Sequence, residues 1–349
     1  LCTGCRRSTT RIRLWATTGP TRPTLPLGWP PPVFGIKLLN WKCRILRVAN
    51  RTKTGMASTV RVSTVIRTGF RSTRLRRWRC SFRRGLSRVR SHCIPMRMWT
   101  GKRYFLYFGA INYEAHVYLN GKKLGMHRGG FTPVQFEITG RLAAGGDNFV
   151  VVKADNTRHP DAVPTINTDW WNYGGLTRDV FVAEAPATFV VDYKVQLAKN
   201  DPNTVAGYVQ LSGVGKGGQP VTVRIAEAGL TATVRTDTTG RATFTLPAKK
   251  LARWSPQSPR LYAVTVSSGG DEVSDKIGFR TIETRGQDIL LNGRSTFLRG
   301  ISLHDENPLI PGRARGEGDL RMLLTWAKEL GCNYVRLAHY PHNEAMLRL

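Results

Sequence analysis

Three short stretches of the sequence contain the side chains best suited to chemistry, and all of them lie beyond residue 160. Asp169 stands in TDWWNYGG, His304, Asp305 and Asn307 stand in GISLHDENP, and His339 stands in LAHYPH. Carboxylates and imidazoles can bind a polar ligand through charge-assisted hydrogen bonds. Taken singly, each also has an ordinary structural explanation, because an aspartate often caps a turn and an isolated histidine is more often a structural residue than a ligand-binding one.

The net charge is distributed unevenly between two regions of the chain. The 349 residues include 53 Lys and Arg against 23 Asp and Glu, a formal net charge of +30. The first hundred residues hold 23 of these bases, no acid and five of the six cysteines, so residues 101–349 have a net charge of only +7. The hydrophobic share of 41% excludes a chain that is disordered throughout. No apolar run is long enough for a transmembrane helix, and the opening residues do not resemble a signal peptide.

The first hundred residues have two competing interpretations. The arginine-rich stretch 71–90, with Trp78 and Phe82, is typical of a basic arm that binds nucleic acid. Against this, arginine outnumbers lysine by 20 to 3, and no apolar period persists. Because this composition is what a GC-rich gene yields out of frame, we favour an out-of-frame or disordered segment over residues 1–100. The isolated Cys2-x-x-Cys5 pair is too weak a signal to predict a metal site.

Short strands with tight turns fill residues 101–186. YFLYFGAI at 104–111, DNFVVVKADNT at 147–157 and LTRDVFVAEA at 176–185 are typical of strands, and the Asn120-Gly121 pair predicts a hairpin turn. Alternation before that turn places Ala115, Val117 and Leu119 on one face. This spacing, with no helical stretch, predicts an antiparallel β-sandwich.

Residues 187–283 continue the all-β pattern at about the length of an immunoglobulin-like domain. Some seven strands are separated by turn signals such as Gly217-Gly218 and Gly269-Gly270. No cysteine lies in this segment, so apolar burial must hold its sheets together.

The pattern changes in residues 284–349, where a helix separates two strand-forming segments. ILLNGRSTFLRGISL at 289–303 predicts strands around the Asn292-Gly293 turn, and CNYVRLAHY at 332–340 predicts another strand. Between them, DLRMLLTWAKELG at 319–331 has apolar residues at helical spacing and closes with Gly331. This order predicts a parallel βαβ unit, the start of a sheet or barrel, followed by a second helix from Asn343.

Several long motifs, in their order along the chain, resemble glycoside hydrolase family 2, the group of β-galactosidases, β-glucuronidases and β-mannosidases. HVYLNGKKLGMHRGGFTPVQFEIT and NTDWWNYGGLTRDVFV are similar to the family's sugar-binding domain, and WSPQSPRLYAVTV is similar to its immunoglobulin-like domain. GFRTIE, LLNGRSTFLRGISLHDENPL and VRLAHYPH are similar to the start of its TIM barrel. The resemblance implies a mostly β fold: an incomplete jelly-roll-like sugar-binding sandwich (101–186), an immunoglobulin-like sandwich (187–283) and the truncated start of a TIM (β/α)8 barrel (284–349).

The resemblance also implies a retaining exo-β-glycosidase, which uses one carboxyl group as acid/base and a second as nucleophile. Both glutamates are expected on later barrel strands. The acids Glu306, Glu317, Glu329 and Glu344 match none of the family's catalytic motifs. We therefore predict that this chain contains no catalytic residue and is inactive alone, although its full-length parent would hydrolyse O-glycosidic bonds.

The same resemblance places substrate-binding residues at the subsite for the non-reducing-end sugar. Asp169 matches the carboxylate that reaches a substrate hydroxyl from the sugar-binding domain, and His339 matches a histidine that contacts substrate. His304 and Asp305 are expected to contact the substrate or to support the residues that do. Asn307 is a further candidate, although some family members have a histidine there.

Three neighbours of these candidates have less specific predictions. Trp170 and Trp171 could stack on a sugar face, but packing is the commoner role of such residues. Arg336 is predicted to be a buried ion-pair partner or a residue that shapes the site.

Two functions remain open: the front part of an exo-β-glycosidase, and a non-catalytic carbohydrate-binding module. The HDENP and HYPH motifs on consecutive barrel strands favour the enzyme fragment, because a binding module has no need of them. The expected partner is a carbohydrate with a β-linked sugar at its non-reducing end. No nucleic acid, membrane, cofactor or metal ion is expected, and the identity of the sugar stays open because selectivity lies mostly in barrel loops.

Overall fold

The computed structural model describes residues 44–51, 60–67, 101–143, 148–310, 312–314 and 316–349. Most of the first hundred residues, and with them most of the out-of-frame or disordered prediction, lie outside the described residues. Two strands are described there, β1 (Arg44–Arg51) and β2 (Val60–Arg67), although no apolar period in the sequence indicates them. They pair antiparallel with each other, and β2 also pairs with a strand formed by residues 149–155.

The first β-sandwich is built from β1, β2 and eight further strands. These are β3 (Lys102–Phe108), β4 (Ile111–Asn112), β5 (Glu114–Leu119), β6 (Lys122–Arg128), β7 (Val134–Glu137), β8 (Phe149–Asp155), β9 (Gly175–Leu176) and β10 (Val180–Pro186). One sheet has the order β1-β2-β8-β5-β6 and the other β10-β3-β7, while β4 and β9 form a separate pair. All these pairings are antiparallel, as the sequence predicts.

The hairpin between β5 and β6 shows how local sequence sets the register of this sandwich. Asn120 and Gly121 both have positive φ angles, of 51° and 80°, the conformation that a two-residue hairpin turn requires. With the turn in place, Ala115, Val117 and Leu119 point into the core and are almost fully buried. The predicted alternation is therefore confirmed, and it directs one face of β5 toward the second sheet.

The second sandwich has the seven strands that the sequence predicts. They are β11 (Thr188–Ala198), β12 (Asp201–Gly213), β13 (Pro220–Ile225), β14 (Leu230–Arg235), β15 (Arg241–Pro247), β16 (Tyr262–Ser268) and β17 (Asp271–Ile277). Sheets of order β11-β12-β15 and β14-β13-β16-β17 face each other over one apolar core. Val209, Val223 and Phe279 are buried there to within 1% of complete. Each buried side chain of this kind stabilises the fold by about 1.5–3 kcal/mol, so the core can hold the sheets without disulfides.

A short meander leads from the second sandwich into the last part of the chain. It consists of β18 (Ile282–Arg285), β19 (Asp288–Leu291) and β20 (Arg294–Ser295), in that order across one sheet. The turn between β19 and β20 is the predicted Asn292-Gly293 pair, whose φ angles are 52° and 77°.

The last part of the chain is the predicted βαβ unit. It comprises β21 (Gly300–Leu303), α1 (Glu317–Glu329) and β22 (Tyr334–Leu337), followed by α2 (Glu344–Arg348). β21 and β22 are parallel, with Gly300 opposite Tyr334. Helix α1 begins and ends two residues before the predicted range, and Leu320, Leu323 and Ala327 form its buried side. Among the described helices, none has the length and apolarity needed to cross a membrane.

Buried ion pairs join the last part of the chain to both sandwiches. Arg178, next to β10, pairs with Asp305 after β21, with 3.0 Å between Nη2 and Oδ2. Arg348 of α2 pairs with Asp275 of β17 at 2.7 Å between Nη1 and Oδ1, and the Tyr193 hydroxyl also donates to Asp275. Because both carboxylates are buried, these contacts set how the βαβ unit sits against the two sandwiches.

Candidate functional site

The candidate site forms where a loop of the first sandwich meets one end of the β21–β22 pair. Asp169 lies on the loop between β8 and β9, His304 follows β21 and His339 follows β22. The carboxyl ends of parallel strands meet at one edge of a sheet, so His304 and His339 become neighbours. Asp169 reaches them from the sandwich.

The geometry of this cluster is compact. The Nε2 atom of His339 lies 3.7 Å from Oδ2 of Asp169, and the imidazole rings of His304 and His339 are 5.4 Å apart at 78°. One ligand atom from each of the three residues lies within 4.8 Å of the other two. The Asp169 side chain is 69% exposed and that of His339 33%, so a ligand from solvent can reach both.

Trp170 borders the cluster of Asp169, His304 and His339, which is called the pocket from here on. Its ring centroid lies 6.2 Å from His304, 5.7 Å from His339 and 5.3 Å from Tyr340. Trp171, by contrast, is 76% exposed. Of the two tryptophans considered as stacking platforms, only Trp170 packs against the imidazoles.

Hydrogen bonds hold the Asp169 loop in place. The Arg158 guanidinium donates to the carbonyls of Ile166 and Trp170 and to the Thr168 hydroxyl. At the ends of the loop, Asn156 donates to the carbonyl of Asn172, and Asn172 donates to that of Asn156. The backbone on both sides of Asp169 is thus fixed, while its carboxylate stays exposed.

Tyr340 packs against Trp170 and His304, a position that its sequence motif does not indicate. Its ring stacks on Phe131 at 4.1 Å, and its hydroxyl accepts a hydrogen bond from the Asp305 N–H at 3.3 Å. The same hydroxyl lies 3.4 Å from Nδ1 of His304. Burial raises the pKa of Tyr340, so its hydroxyl stays protonated at neutral pH. The only sequence signal for Tyr340 is its position inside the LAHYPH motif.

Asp305 is placed behind the pocket, in an ion pair. Its side chain is 2% exposed, and Oδ2 lies 3.0 Å from Arg178 and 3.9 Å from Arg313. Arg178 also donates to the carbonyls of Phe131 and Pro341. Of the two expected roles for Asp305, this geometry favours support over contact with substrate.

The Asn307 side chain bonds to α1 and to its own loop. Its amide nitrogen donates to Asp319 at 2.9 Å, and its amide oxygen accepts from the N–H groups of Leu309 and Ile310. Both ends of the side chain therefore order the loop before α1.

The buried arginine in this part of the chain is not the one that the sequence predicts. Arg336 is exposed on β22, so the prediction of a buried ion-pair partner is wrong. Arg313 is the buried one, with its guanidinium 4.8–5.5 Å from the rings of Phe131, Tyr173 and Tyr340. Burial, with Glu306 close by, raises the pKa of Tyr173 to about 12.

Two β-sandwiches followed by the start of a parallel barrel, with a polar pocket between the first and the last, define the class of multidomain carbohydrate-active proteins. Three family models match consecutive parts of the chain. They are the sugar binding domain of glycosyl hydrolases family 2 at residues 89–186, the model named glycosyl hydrolases family 2 at 179–280 and the family 2 TIM barrel domain at 282–349. The chain belongs to glycoside hydrolase family 2.

Named relatives agree with this assignment. The chain is 29% identical to a β-galactosidase of Thermoanaerobacter pseudethanolicus, over 76% of this chain and 38% of that protein. It is 28% identical to a β-glucuronidase of Bacteroides fragilis, over 77% of this chain and 42% of that protein. The chain thus spans less than half the length of these curated relatives.

A solved structure shows the same fold. The Bifidobacterium dentium β-glucuronidase, complexed with coumarin-3-O-glucuronide, matches with a TM-score of 0.67 over 82% of this chain and 50% of that one. The sequence identity is 21%, so the likeness concerns the fold alone. The prediction of two β-sandwiches and a TIM-barrel start is confirmed.

Proposed function

We propose that this chain is the front part of a retaining exo-β-glycosidase, in which Asp169, His304 and His339 bind the sugar at the non-reducing end. One observation supports this most directly: residues from two domains, far apart in sequence, converge with polar atoms within 4.8 Å of one another, two of the side chains being exposed and that of His304 half-buried. A carboxylate accepts strong hydrogen bonds from adjacent sugar hydroxyls, and an imidazole can donate or accept beside it. Trp170 supplies an aromatic wall against which a pyranose ring could pack.

The relatives support a β-glucuronide or a β-galactoside as the substrate class. The β-glucuronidase relatives act on an acidic sugar and the β-galactosidase relatives on a neutral one. Asp169 carries a negative charge, which would repel the carboxylate of a glucuronide unless the two groups are held apart. We therefore propose that Asp169 contacts hydroxyls away from carbon 6 if the sugar is a glucuronide.

The pocket as described is suited to binding rather than to bond cleavage. A retaining mechanism needs two carboxyl groups about 5–5.5 Å apart. Asp169 is the carboxylate of the described cluster, whereas Asp305 is buried against two arginines. We propose that hydrolysis belongs to the whole protein and that these 349 residues bind the sugar without cleaving it, which is also what a non-catalytic module would do.

Sugar binding can be tested by saturation-transfer NMR with methyl β-D-glucuronide and methyl β-D-galactoside. If each heavy atom of the sugar contributes about 0.3 kcal/mol of binding free energy, such a ligand should bind with a Kd of about 1 mM. This affinity is within reach of the method. We expect transfer to at least one of the two sugars, and its loss in Asp169→Asn and in His339→Gln. The matched controls are Asp161→Asn and His159→Gln, two exposed positions of the same loop, which should leave binding intact.

Three results would contradict the proposal or a part of it. If neither sugar binds the folded chain, the pocket does not hold a non-reducing-end sugar of these classes. If a sugar binds equally to wild type and to both site variants, the binding site lies elsewhere. Release of 4-nitrophenol from the corresponding 4-nitrophenyl glycosides by this chain would contradict the separation of binding from cleavage.

A further inference from the structure

The cluster that forms the proposed sugar site consists of one aspartate and two histidines, residue types that also bind metal ions. We propose that Asp169, His304 and His339 together bind one divalent transition-metal ion, with Zn²⁺ as the representative, when no sugar is present. This inference concerns an ion rather than a sugar, and it would stand even if neither glycoside bound. It also revises the expectation from sequence that the chain has no metal site.

The ligand set matches the chemistry of zinc rather than that of the hard cations. Two imidazole nitrogens and one carboxylate oxygen are typical of zinc sites that leave a fourth position to water. Calcium and magnesium prefer six or more oxygen ligands, and this cluster offers one carboxylate. Nickel and copper ions also favour imidazole, so they belong to the same class of ligand for this site.

The distances require only small side-chain movements. Bonds of about 2.0–2.2 Å to a tetrahedral ion place its ligand atoms about 3.4 Å apart. Asp169 Oδ2 and His339 Nε2 are already 3.7 Å apart, and all three ligand atoms lie within 4.8 Å of one another. Because the Asp169 carboxylate is exposed on an otherwise anchored loop, its rotation can close the remaining gap.

The surroundings of His304 also suit a ligand. Its Nδ1 atom lies 3.4 Å from the Tyr340 hydroxyl. In the tautomer in which Nδ1–H donates to that oxygen, Nε2 retains the lone pair that a metal ion needs. A hydrogen bond to the second ring nitrogen is the usual means by which proteins orient a metal-binding histidine. Tyr340 is itself held by its stacking on Phe131 and by the Asp305 N–H.

Sequence spacing alone does not predict this site. Asp169 and His304 belong to different domains, and His304 and His339 are separated by a whole crossover helix. Zinc motifs recognised in sequences place ligands a few residues apart on one element. Here the parallel pairing of β21 with β22 and the docking of the sandwich loop bring the ligands together.

Calorimetric titration of the full chain with ZnCl2 tests the proposal. The protein should be purified without a polyhistidine tag, and its six cysteines should be alkylated first, because thiolates bind zinc independently. We expect one ion per chain. Affinity should fall at least about tenfold in each of Asp169→Asn, His304→Gln and His339→Gln, since even residues that only orient a ligand contribute that much.

Matched controls separate this site from incidental binding. Asp161→Asn and His159→Gln change the same residue types at exposed positions of the same loop, and both should retain wild-type affinity. A second measurement uses Co²⁺, whose visible absorption bands report coordination and should change in the site variants only. The proposal is wrong if the alkylated wild type binds no zinc, or if all three site variants bind it as wild type does.

Discussion

The carboxylate of Asp169 and the imidazole of His339 approach to 3.7 Å although they belong to different domains. The Asp169 loop is fixed to the first sandwich by Arg158 and by paired asparagines. His339 is fixed by the strand that precedes it, β22. The pocket therefore depends on the docking of the first sandwich against the βαβ unit.

Replacement of Arg178 should loosen that docking. Arg178→Met removes the partner of a buried carboxylate, since Asp305 is then left with only the more distant Arg313. Breaking a buried pair in this way costs about 3 kcal/mol. We expect a lower thermal unfolding midpoint together with weaker sugar or zinc binding.

The control for Arg178 is Arg321→Met on α1. Arg321 also forms an ion pair, with Glu317, but both side chains are more than 60% exposed. Exposed pairs of this kind contribute little, so the midpoint should hardly move. Equal effects of the two substitutions would show that the Arg178 pair does not hold the domains together.

Removal of the Tyr340 hydroxyl should weaken the support beneath His304. Tyr340→Phe keeps the stacking on Phe131 but leaves the buried Asp305 N–H without its acceptor. An unsatisfied buried donor costs about 1–3 kcal/mol. Urea unfolding should show this loss, whereas Tyr334→Phe, at a half-exposed position of β22, should not. An unchanged unfolding midpoint in Tyr340→Phe would refute this role.

A methyl group at Gly207 should disrupt the second sandwich. A Cβ atom there would lie 1.6 Å from the Lys194 carbonyl oxygen and 3.0 Å from the Phe244 ring. The strands β11 and β12 would have to separate, at a cost of about 3 kcal/mol or more. Gly318→Ala, in the first turn of α1 with open space around it, should instead stabilise by up to about 1 kcal/mol. Thermal unfolding of both variants distinguishes these opposite signs.

Glu344 should make the protein less stable as the pH rises. Burial raises the pKa of this carboxyl from 4.5 to about 7. Between these pH values the folded chain holds a proton that the unfolded chain has lost, so the free energy of unfolding decreases with increasing pH. Allowing for partial exposure, the total loss is about 2 kcal/mol, most of it reached by pH 7, and it becomes constant only about one pH unit above the folded-state pKa.

Glu344→Gln tests this prediction, because an amide cannot ionise. Urea midpoints measured from pH 5 to pH 8 should fall less steeply in the variant than in wild type. Glu329→Gln, on an exposed position of α1, is the matched control and should follow the wild-type curve. Parallel profiles for wild type and Glu344→Gln would show that Glu344 does not titrate in this range.

Local sequence signals predict much of this fold because they act through backbone geometry. Asn120-Gly121 and Asn292-Gly293 adopt the positive φ angles that their hairpins need, and the alternation before Asn120 matches the burial of β5. Helix α1 begins and ends two residues earlier than the apolar pattern predicts. The reason is that the backbone at Gly316 is extended and the acidic Glu317 starts the helix before the first apolar residue. The strands β1 and β2 have no such pattern and were not predicted.

The site could be predicted only in part. Asp169, His304 and His339 stand in recognisable motifs, and the structure brings them together. Motifs do not indicate Tyr340 or Arg178, because both residues act through contacts across a domain boundary, which no local pattern reveals. The bonds of Asp305 to Arg178 and of Asn307 to Asp319 are likewise indicated by no local pattern, and the substrate contacts expected of these two residues stay predictions.

Arg178 also has a consequence for how such proteins can diverge. One guanidinium binds the Phe131 carbonyl in its own domain and both Asp305 and the Pro341 carbonyl in the barrel segment. A mutation of Asp305 or Arg178 alone removes the closest charged partner of the other, because Asp305 then keeps only the more distant Arg313 among the described ion pairs and Arg178 keeps only carbonyl oxygens. Lineages that replace Arg178 or Asp305 should therefore replace the other residue as well. These two positions are expected to covary even where the other residues of this domain boundary vary independently.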